Sequence, residues 1–282
     1  MKTGLVLEGG SMRGLFSAGV TDVLMEAGVV FDGLIGVSAG AAFGCNYKSN
    51  QPGRAIRYNV RFCQDARYCS LRSWLRTGDL YGADFCYREI PLHLDPFDSE
   101  TFRKSPVEFY VVCTDVHSGE AVYQRLDKGD EEDMDWIRAS ASMPMVSRVV
   151  HVGGRELLDG GAADSIPLRW FQSIGYEKNV VILTQPRDFV KEKNSMLPLM
   201  RVVLRKYPKL IDTMAHRHEV YNASTAYVRA EEAAGRVFVL APDAPLPIKR
   251  TEKDPEKLRA VYEMGRRSME KNLDAMMEFM DK

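Results

Sequence analysis

The chain has 282 residues, 45% of them hydrophobic, enough to enclose a sizeable core as one large α/β domain or two small ones. Lysine and arginine number 38 against 39 acidic residues, a formal net charge of -1, so no global field recruits nucleic acid or anionic lipid and any charged surface is local. Apolar runs fall short of the roughly 18 to 20 residues of a spanning helix.

The five cysteines, Cys45, Cys63, Cys69, Cys86 and Cys113, form an odd set without CxxC spacing, which argues against a disulfide framework or zinc site and reads as buried thiols. The opening MKTGLVLEGG is too short and too interrupted for a signal-peptide core, so a cytoplasmic protein is expected.

Taken in chain order, TGLVLE (3–8) reads as a buried strand, followed by a glycine-rich turn and an amphipathic helix from about Leu15 to Ala27 that Gly28 ends. DGLIGV (32–37) is a second strand. The stretch from Arg54 to Arg103, with Pro91 and Pro96, fits neither the helical nor the strand period and is read as an insertion or cap over the sheet edge. Residues 70 to 100 are where a lid is sought.

EFYVVCTDV (108–116) and AVYQRL (121–126) form a predicted hairpin, and DEEDMDWIRASAS (130–142) starts acidic, as a helix N-terminus favours. VVHVGGRELLDGG (149–161) suggests a hairpin or strand, LRWFQSIG (168–175) a helix and NVVILTQ (179–185) a strand. From Lys253 onward, Leu258, Val261, Tyr262, Met269, Leu273, Met276, Met277 and Met280 recur near helical spacing, which predicts a docking helix. The alternation of strand and helix points to α/β architecture, with a motif-bearing core over about 1–185 and a helical extension over about 186–282.

Three segments could share one site. Gly36-Val37-Ser38-Ala39-Gly40 matches G-x-S-x-G, in which close approach of strand and helix raises a serine on a tight turn; a helix cap at Ser38 is the competing reading. LEGGSMRG (7–14) leaves backbone N–H groups unshielded after a buried strand, which suits an oxyanion. Its glycine spacing fits neither a dinucleotide fingerprint nor a P-loop. LLDGG (157–161) places Asp159 before two glycines, either as a base or as a turn residue bonding its own backbone. Donor loop, nucleophile and base in this order are the components of an acyl-transfer site.

In these segments the sequence resembles the patatin-like phospholipases, whose motifs are a G-G-G-x-R-G loop, a G-x-S-x-G nucleophile and a D-G-G/A segment. ASASMPMV (139–146) is similar to a further family segment, and the resemblance covers at least residues 4 to 168. It implies a three-layer α/β/α patatin-like fold with a central, mainly parallel sheet. It also implies a Ser38–Asp159 dyad without histidine, an oxyanion hole at Gly9, Gly10, Ser11, Arg13 and Gly14, and Gly36 and Gly40 shaping the nucleophile elbow. Ser11 replaces the third glycine, a strained choice if that position has φ > 0.

The activity so implied is metal-independent and cofactor-free hydrolysis of lipid acyl esters, of the phospholipase A or lysophospholipase type. A small-ester or thioester hydrolase, and a non-catalytic anion-binding module on the same fold, are the alternatives. A lipid or ester is the expected partner, with no role for nucleic acid. Arg13 is read as ordering the loop through backbone hydrogen bonds, the alternative being that its planar fork meets a substrate phosphate. Arg54, Arg57 and Arg61 share a helical face and are read as solvated, as are His216 and His218, the alternative to which is a Ser-Asp-His triad. Lys191, Lys193, Arg201, Arg205 and Lys206 surround MLPLM (196–200), the candidate for transient contact with a membrane surface.

Overall fold

In the computed structural model, which describes residues 1–281, the apolar strand-length runs line up as one mixed sheet. The elements in order are β1 (Lys2–Leu7), α1 (Gly14–Glu26), β2 (Gly33–Val37), α2 (Ala39–Lys48), α3 (Arg54–Phe62), α4 (Leu71–Thr77), a π-helical stretch (Phe85–Leu94) and α5 (Ser99–Lys104). Then follow β3 (Glu108–Asp115), β4 (Ala121–Leu126), α6 (Glu131–Ala141), β5 (Val150–Val152), β6 (Arg155–Asp159), α7 (Leu168–Ser173) and β7 (Tyr176–Ile182). The chain continues with α8 (Leu197–Val203), α9 (Pro208–Ala233), β8 (Val237–Leu240) and α10 (Pro255–Asp281).

Sheet order is β5-β6-β3-β2-β1-β7-β8, with β4 on the other edge of β3. The five strands β3, β2, β1, β7 and β8 are mutually parallel, and at one end β4 and β6 pair antiparallel with β3, and β5 antiparallel with β6. Both faces are covered, which is why the central strands are apolar runs rather than alternating ones. Leu5, Leu7, Leu34 and Val180 pack with α1, α2 and α10 on one face. Val6, Ile35 and Val181 point the opposite way, onto α7 and α9. The result is the expected three-layer α/β/α arrangement.

One handover in the sheet positions the site. β2 stops at Val37, paired with Val112, and leaves that edge of β3 open. Cys113 and Thr114 already hold β4 on their other side, so β6 takes the vacated edge through Asp159 and Leu158. Consecutive residues of β3 therefore bring the end of β2 and the end of β6 together.

Helix α1 falls where predicted, with Gly28 left-handed just beyond it, but it is buried on nearly every side rather than amphipathic. The cause is α10, which lies along it through Leu258, Val261, Tyr262 and Met269, all buried. Met276 is buried too, whereas Met277 is exposed. The C-terminal segment also contributes a strand, β8, too short to read in sequence. Residues 54–103 are helical and pack on α2, α6 and α10, not over a sheet edge. Of their arginines, Arg57 and Arg61 are exposed as expected, whereas Arg54 is not. Arg54 is buried and bonds Asn46 and the Asp95 carbonyl, Arg57 grips the Asp95 carboxylate with two hydrogen bonds, and Arg61 donates to the Leu94 carbonyl. Together they hold the end of the π-helical stretch against α3.

Between α1 and α10 lies Asp22, which accepts from the Tyr262 hydroxyl at 2.6 Å and from the Gly53 N–H at 2.8 Å. Burial pushes its carboxyl up to about 6 against these two bonds. A carboxyl raised on folding adds stability below its unfolded value, and that stability is lost as pH rises through about 6. The loss is roughly 3 kcal/mol at 1.36 kcal/mol per unit. Asp22→Asn keeps an acceptor but removes the titration. Thermal melts from pH 4 to 7 are expected to show the variant gaining on wild type as pH rises; parallel curves would refute this.

Candidate active site

Ser38 sits between β2 and α2 with φ 55 and ψ -119, a backbone state that L-residues rarely adopt and that costs about 1–3 kcal/mol. Two close approaches hold it there. A methyl group on Gly36 would lie 2.4 Å from the Gly40 carbonyl oxygen, and one on Gly40 would lie 2.5 Å from that of Leu7. As the residue preceding α2, Ser38 accepts from Ala41 and Ala42 through its carbonyl, but its side chain makes no capping bond. Instead its Oγ donates to Asp159 Oδ2 at 2.6 Å.

Asp159 closes β6 at the handover point. Its Oδ1 accepts from the Gly161 N–H at 2.7 Å, so the turn reading of LLDGG is also realised, on the other oxygen. Burial raises the carboxyl above the ordinary carboxylate range, against the hydrogen bonds from Ser38 and Gly161 and the charges of Arg217 and Arg250. The segment ASASMPMV ties both residues down. Ser140 Oγ accepts from the Ser38 N–H at 2.9 Å while donating to the Val112 carbonyl, and the Ser142 carbonyl accepts from the Asp159 N–H. Ser38 and Asp159 are 8% and 7% exposed, reachable but largely dry.

Above them runs the turn after β1. Among the described residues no acceptor takes the N–H groups of Gly9, Gly10 or Ser11. A methyl group on Gly9 would lie 3.0 Å from the Val37 oxygen, so this loop lies directly against the serine turn. Ser11 does have positive φ, at 50. Arg13 and Gly14 differ from the expectation, because their N–H groups are already used, on Gly10 and on Met12 and Ser11 respectively. The Arg13 side chain does not order the loop either; it makes no hydrogen bond, and its Nε is buried without a partner.

Two cavities meet at Ser38. One, of about 110 Å³, is walled by Phe43, Tyr58, Tyr87, Ile90 and Met143, largely from the 54–103 segment. The other, of about 550 Å³, reaches Arg13, Lys191, Arg217, Tyr221 and Arg250. Sequence reasoning passed over Arg217, Tyr221 and Arg250 and assigned Lys191 to a membrane-facing patch rather than to this cavity. Arg217 lies between the two histidines that drew attention, and its Nε donates to the Gly161 carbonyl. His216 is exposed and bonds the Asp212 carbonyl. His218 is not solvated as expected; it lines the larger cavity, and neither histidine bonds Ser38 or Asp159. Glu8 is buried beneath the loop, accepting from the Thr184 N–H and the Tyr221 hydroxyl, and burial raises its carboxyl too. Among the described residues, no group of acidic, histidine or cysteine side chains has the arrangement to hold a metal ion.

These features define an α/β/α layered protein with a serine raised at the carboxyl end of a central parallel strand. The model of the Patatin-like phospholipase family matches residues 5–171, and the chain belongs to that family. A second model, Domain of unknown function (DUF6363), matches residues 207–281, the span of α9 to α10. The chain is 28% identical over 269 residues to the Uncharacterized protein YjjU of Escherichia coli, covering 93% of this chain and 74% of that one. It is 28% identical to the Uncharacterized NTE family protein MT2641 of Mycobacterium tuberculosis over 80% of this chain, and 27% identical to Lysophospholipase nte1 of Aspergillus niger over 61%. It spans 39% and 11% of those two proteins. VipD from Legionella pneumophila aligns over 97% of this chain and 67% of its own, with 13% identity and a TM-score of 0.49.

Proposed function

We propose that the chain hydrolyses the acyl esters of lipids through Ser38 and Asp159. The observation that carries this reading is the 2.6 Å hydrogen bond from Ser38 Oγ to Asp159 Oδ2 on a strained turn, directly under the uncommitted N–H groups of the glycine loop. Family membership and the lysophospholipase name of one relative support the lipid class. As Ser38 Oγ attacks the ester carbonyl, Asp159 takes its proton, and the N–H groups of Gly9, Gly10 and Ser11 face the oxyanion. The departing alcohol takes the proton from Asp159, leaving an acyl-serine that water cleaves with Asp159 again as base. One oxyanion donor lowers the barrier by about 3 to 4 kcal/mol, which compensates for a weak base. Burial of Asp159 strengthens that base at neutral pH.

Intact-mass spectrometry after incubation with a fluorophosphonate tests this. A single adduct on wild type that Ser38→Ala abolishes supports the reading; no adduct on folded wild type overturns it in favour of an anion-binding module.

The lipid would be met at a membrane surface. Val190, Met196, Leu199, Val202 and Val203 are exposed, with Lys193, Arg201, Arg205 and Lys206 beside them. The same stretch supplies Lys191, Met196 and Met200 to the larger cavity, so the patch borders its mouth. Among the described residues no helix is long and apolar enough to cross a membrane, and surface contact suits this mixture of apolar and basic groups. Val202→Glu with Val203→Glu is expected to cut co-sedimentation with anionic vesicles several-fold without shifting the thermal melt. Unchanged sedimentation would remove α8 from the docking surface.

A further inference from the structure

The larger cavity gathers four cations from four distant parts of the chain: Arg13 after β1, Lys191 after β7, Arg217 on α9 and Arg250 before α10. Elsewhere in the molecule buried or half-buried arginines are matched to carboxylates, as Arg54 is to Asp95, Arg138 to Asp79 and Arg266 to Glu26. These four are not; among the described residues none of them is within ion-pairing distance of a carboxylate. The Arg13 Nε is buried with no partner, and Arg217 commits only its Nε, to a carbonyl. The Lys191 ammonium lies 4.2 Å from the centre of the Tyr221 ring and has no acceptor.

Three carboxylates line the same cavity, and none of them ion-pairs with the four cations. Glu8 has one oxygen on Thr184 and the other on Tyr221; Asp159 is occupied by Ser38 and Gly161; Glu192 is exposed. Crowding shows in the lysine itself. Burial, with Arg217 next and then Arg13 and Arg250, brings the Lys191 ammonium down to about 8, against a pull from Glu8. Mutually repelling cations with free N–H groups, Arg13, Lys191 and Arg217 half-buried and Arg250 exposed, form a site that an anion relieves.

On the acyl hydrolase reading, an ester carbonyl at Ser38 has its acyl chain on one side and its alcohol on the other. The apolar pocket suits the chain, walled as it is by Phe43, Tyr58 and Ile90. We propose that the larger cavity binds a phosphate group on the alcohol half, so that the substrate is an acyl ester whose polar half is a net anion held by Arg13, Lys191, Arg217 and Arg250. Planar guanidinium forks match the oxygens of a phosphate, and an ammonium adds a point charge. A head group with a quaternary amine would instead bring a fifth cation toward these four.

Two measurements test this, one of them independent of turnover. Ser38→Ala protein is titrated calorimetrically with glycerol 3-phosphate, inorganic phosphate and glycerol. Glycerol 3-phosphate is expected to bind at least tenfold more tightly than inorganic phosphate, glycerol not at all, and Lys191→Gln with Arg250→Gln to weaken the binding at least tenfold. Equal binding of both phosphates would mark a site for the free ion and overturn the substrate assignment; no binding would overturn the site. Kinetically, wild type is compared on lysophosphatidic acid, lysophosphatidylcholine and monoacylglycerol of one chain length in the same non-ionic micelles. The anionic ester is expected to have the highest kcat/KM by at least tenfold, a ratio that the double variant erases and Lys191→Arg retains. Equal rates, or a ratio that survives the double variant, would refute the proposal. Hydrolysis of none of the three would count against the acyl hydrolase reading, and the binding titration would still decide the cation site.

Discussion

Asp159→Asn is expected to lower kcat on any acyl ester by on the order of 10³-fold or more, and Ser38→Ala to leave no measurable acyl-enzyme. The asparagine keeps the side-chain shape, and its amide can still meet the Gly161 N–H, so the fold survives while the proton acceptor is lost. The pH profile separates a base from a mere scaffold. Burial raises the Asp159 carboxyl, so it is protonated at a higher pH than an exposed aspartate. Once protonated it cannot take the Ser38 proton, and kcat/KM is expected to fall as pH drops through this raised value, above the roughly 3.9 of a free aspartate. The residual rate of Asp159→Asn should lack that acid limb. A variant that keeps both the rate and the limb would mean that Asp159 only holds the turn.

Gly40→Ala is expected to cost heavily in stability. Its new methyl would sit 2.5 Å from the Leu7 carbonyl oxygen and 2.9 Å from Leu7 Cβ, against the backbone of the central strand. No rotamer change relieves a backbone clash, so α2 must lift off β1 and take Ser38 with it. A loss of about 3 kcal/mol or more follows, at the upper end of overpacking costs. Gly28→Ala is the comparison, since Gly28 has φ +70 but nothing within 4 Å of the added methyl. Only the left-handed backbone is strained there, at about 1 kcal/mol. Urea unfolding midpoints would read both. Equal shifts would mean that the elbow tolerates a side chain and that its glycines are not what shapes it.

Much of this protein was legible in its one-dimensional pattern wherever the controlling physics is local. Buried parallel strands require apolar runs, and TGLVLE, DGLIGV and NVVILTQ are such runs; the tight serine turn requires small neighbours, and Gly36 and Gly40 supply them. The Met-rich spacing from Leu258 to Met276 marked a docking face because helical geometry alone places those residues together. The turn reading of Asp159 was local as well, since its Oδ1 meets an N–H two residues on.

What the tertiary structure decided has no periodicity to betray it. Ser38 and Asp159 meet because β6 takes the edge of β3 that β2 abandons at Val37, a handover between strands far apart in the chain. On α3, Arg54 is buried against the Asp95 carbonyl while Arg57 and Arg61 stay exposed, since only packing tells a buried cation from a solvated one. Arg13, Lys191, Arg217 and Arg250 lie in a loop, a linker, a helix and a turn, with no spacing to connect them. Only the folded sheet, with α9 drawn across its carboxyl ends, brings their charges into one cavity beside Ser38, because electrostatic neighbours are set by distance through space and not by spacing along the chain.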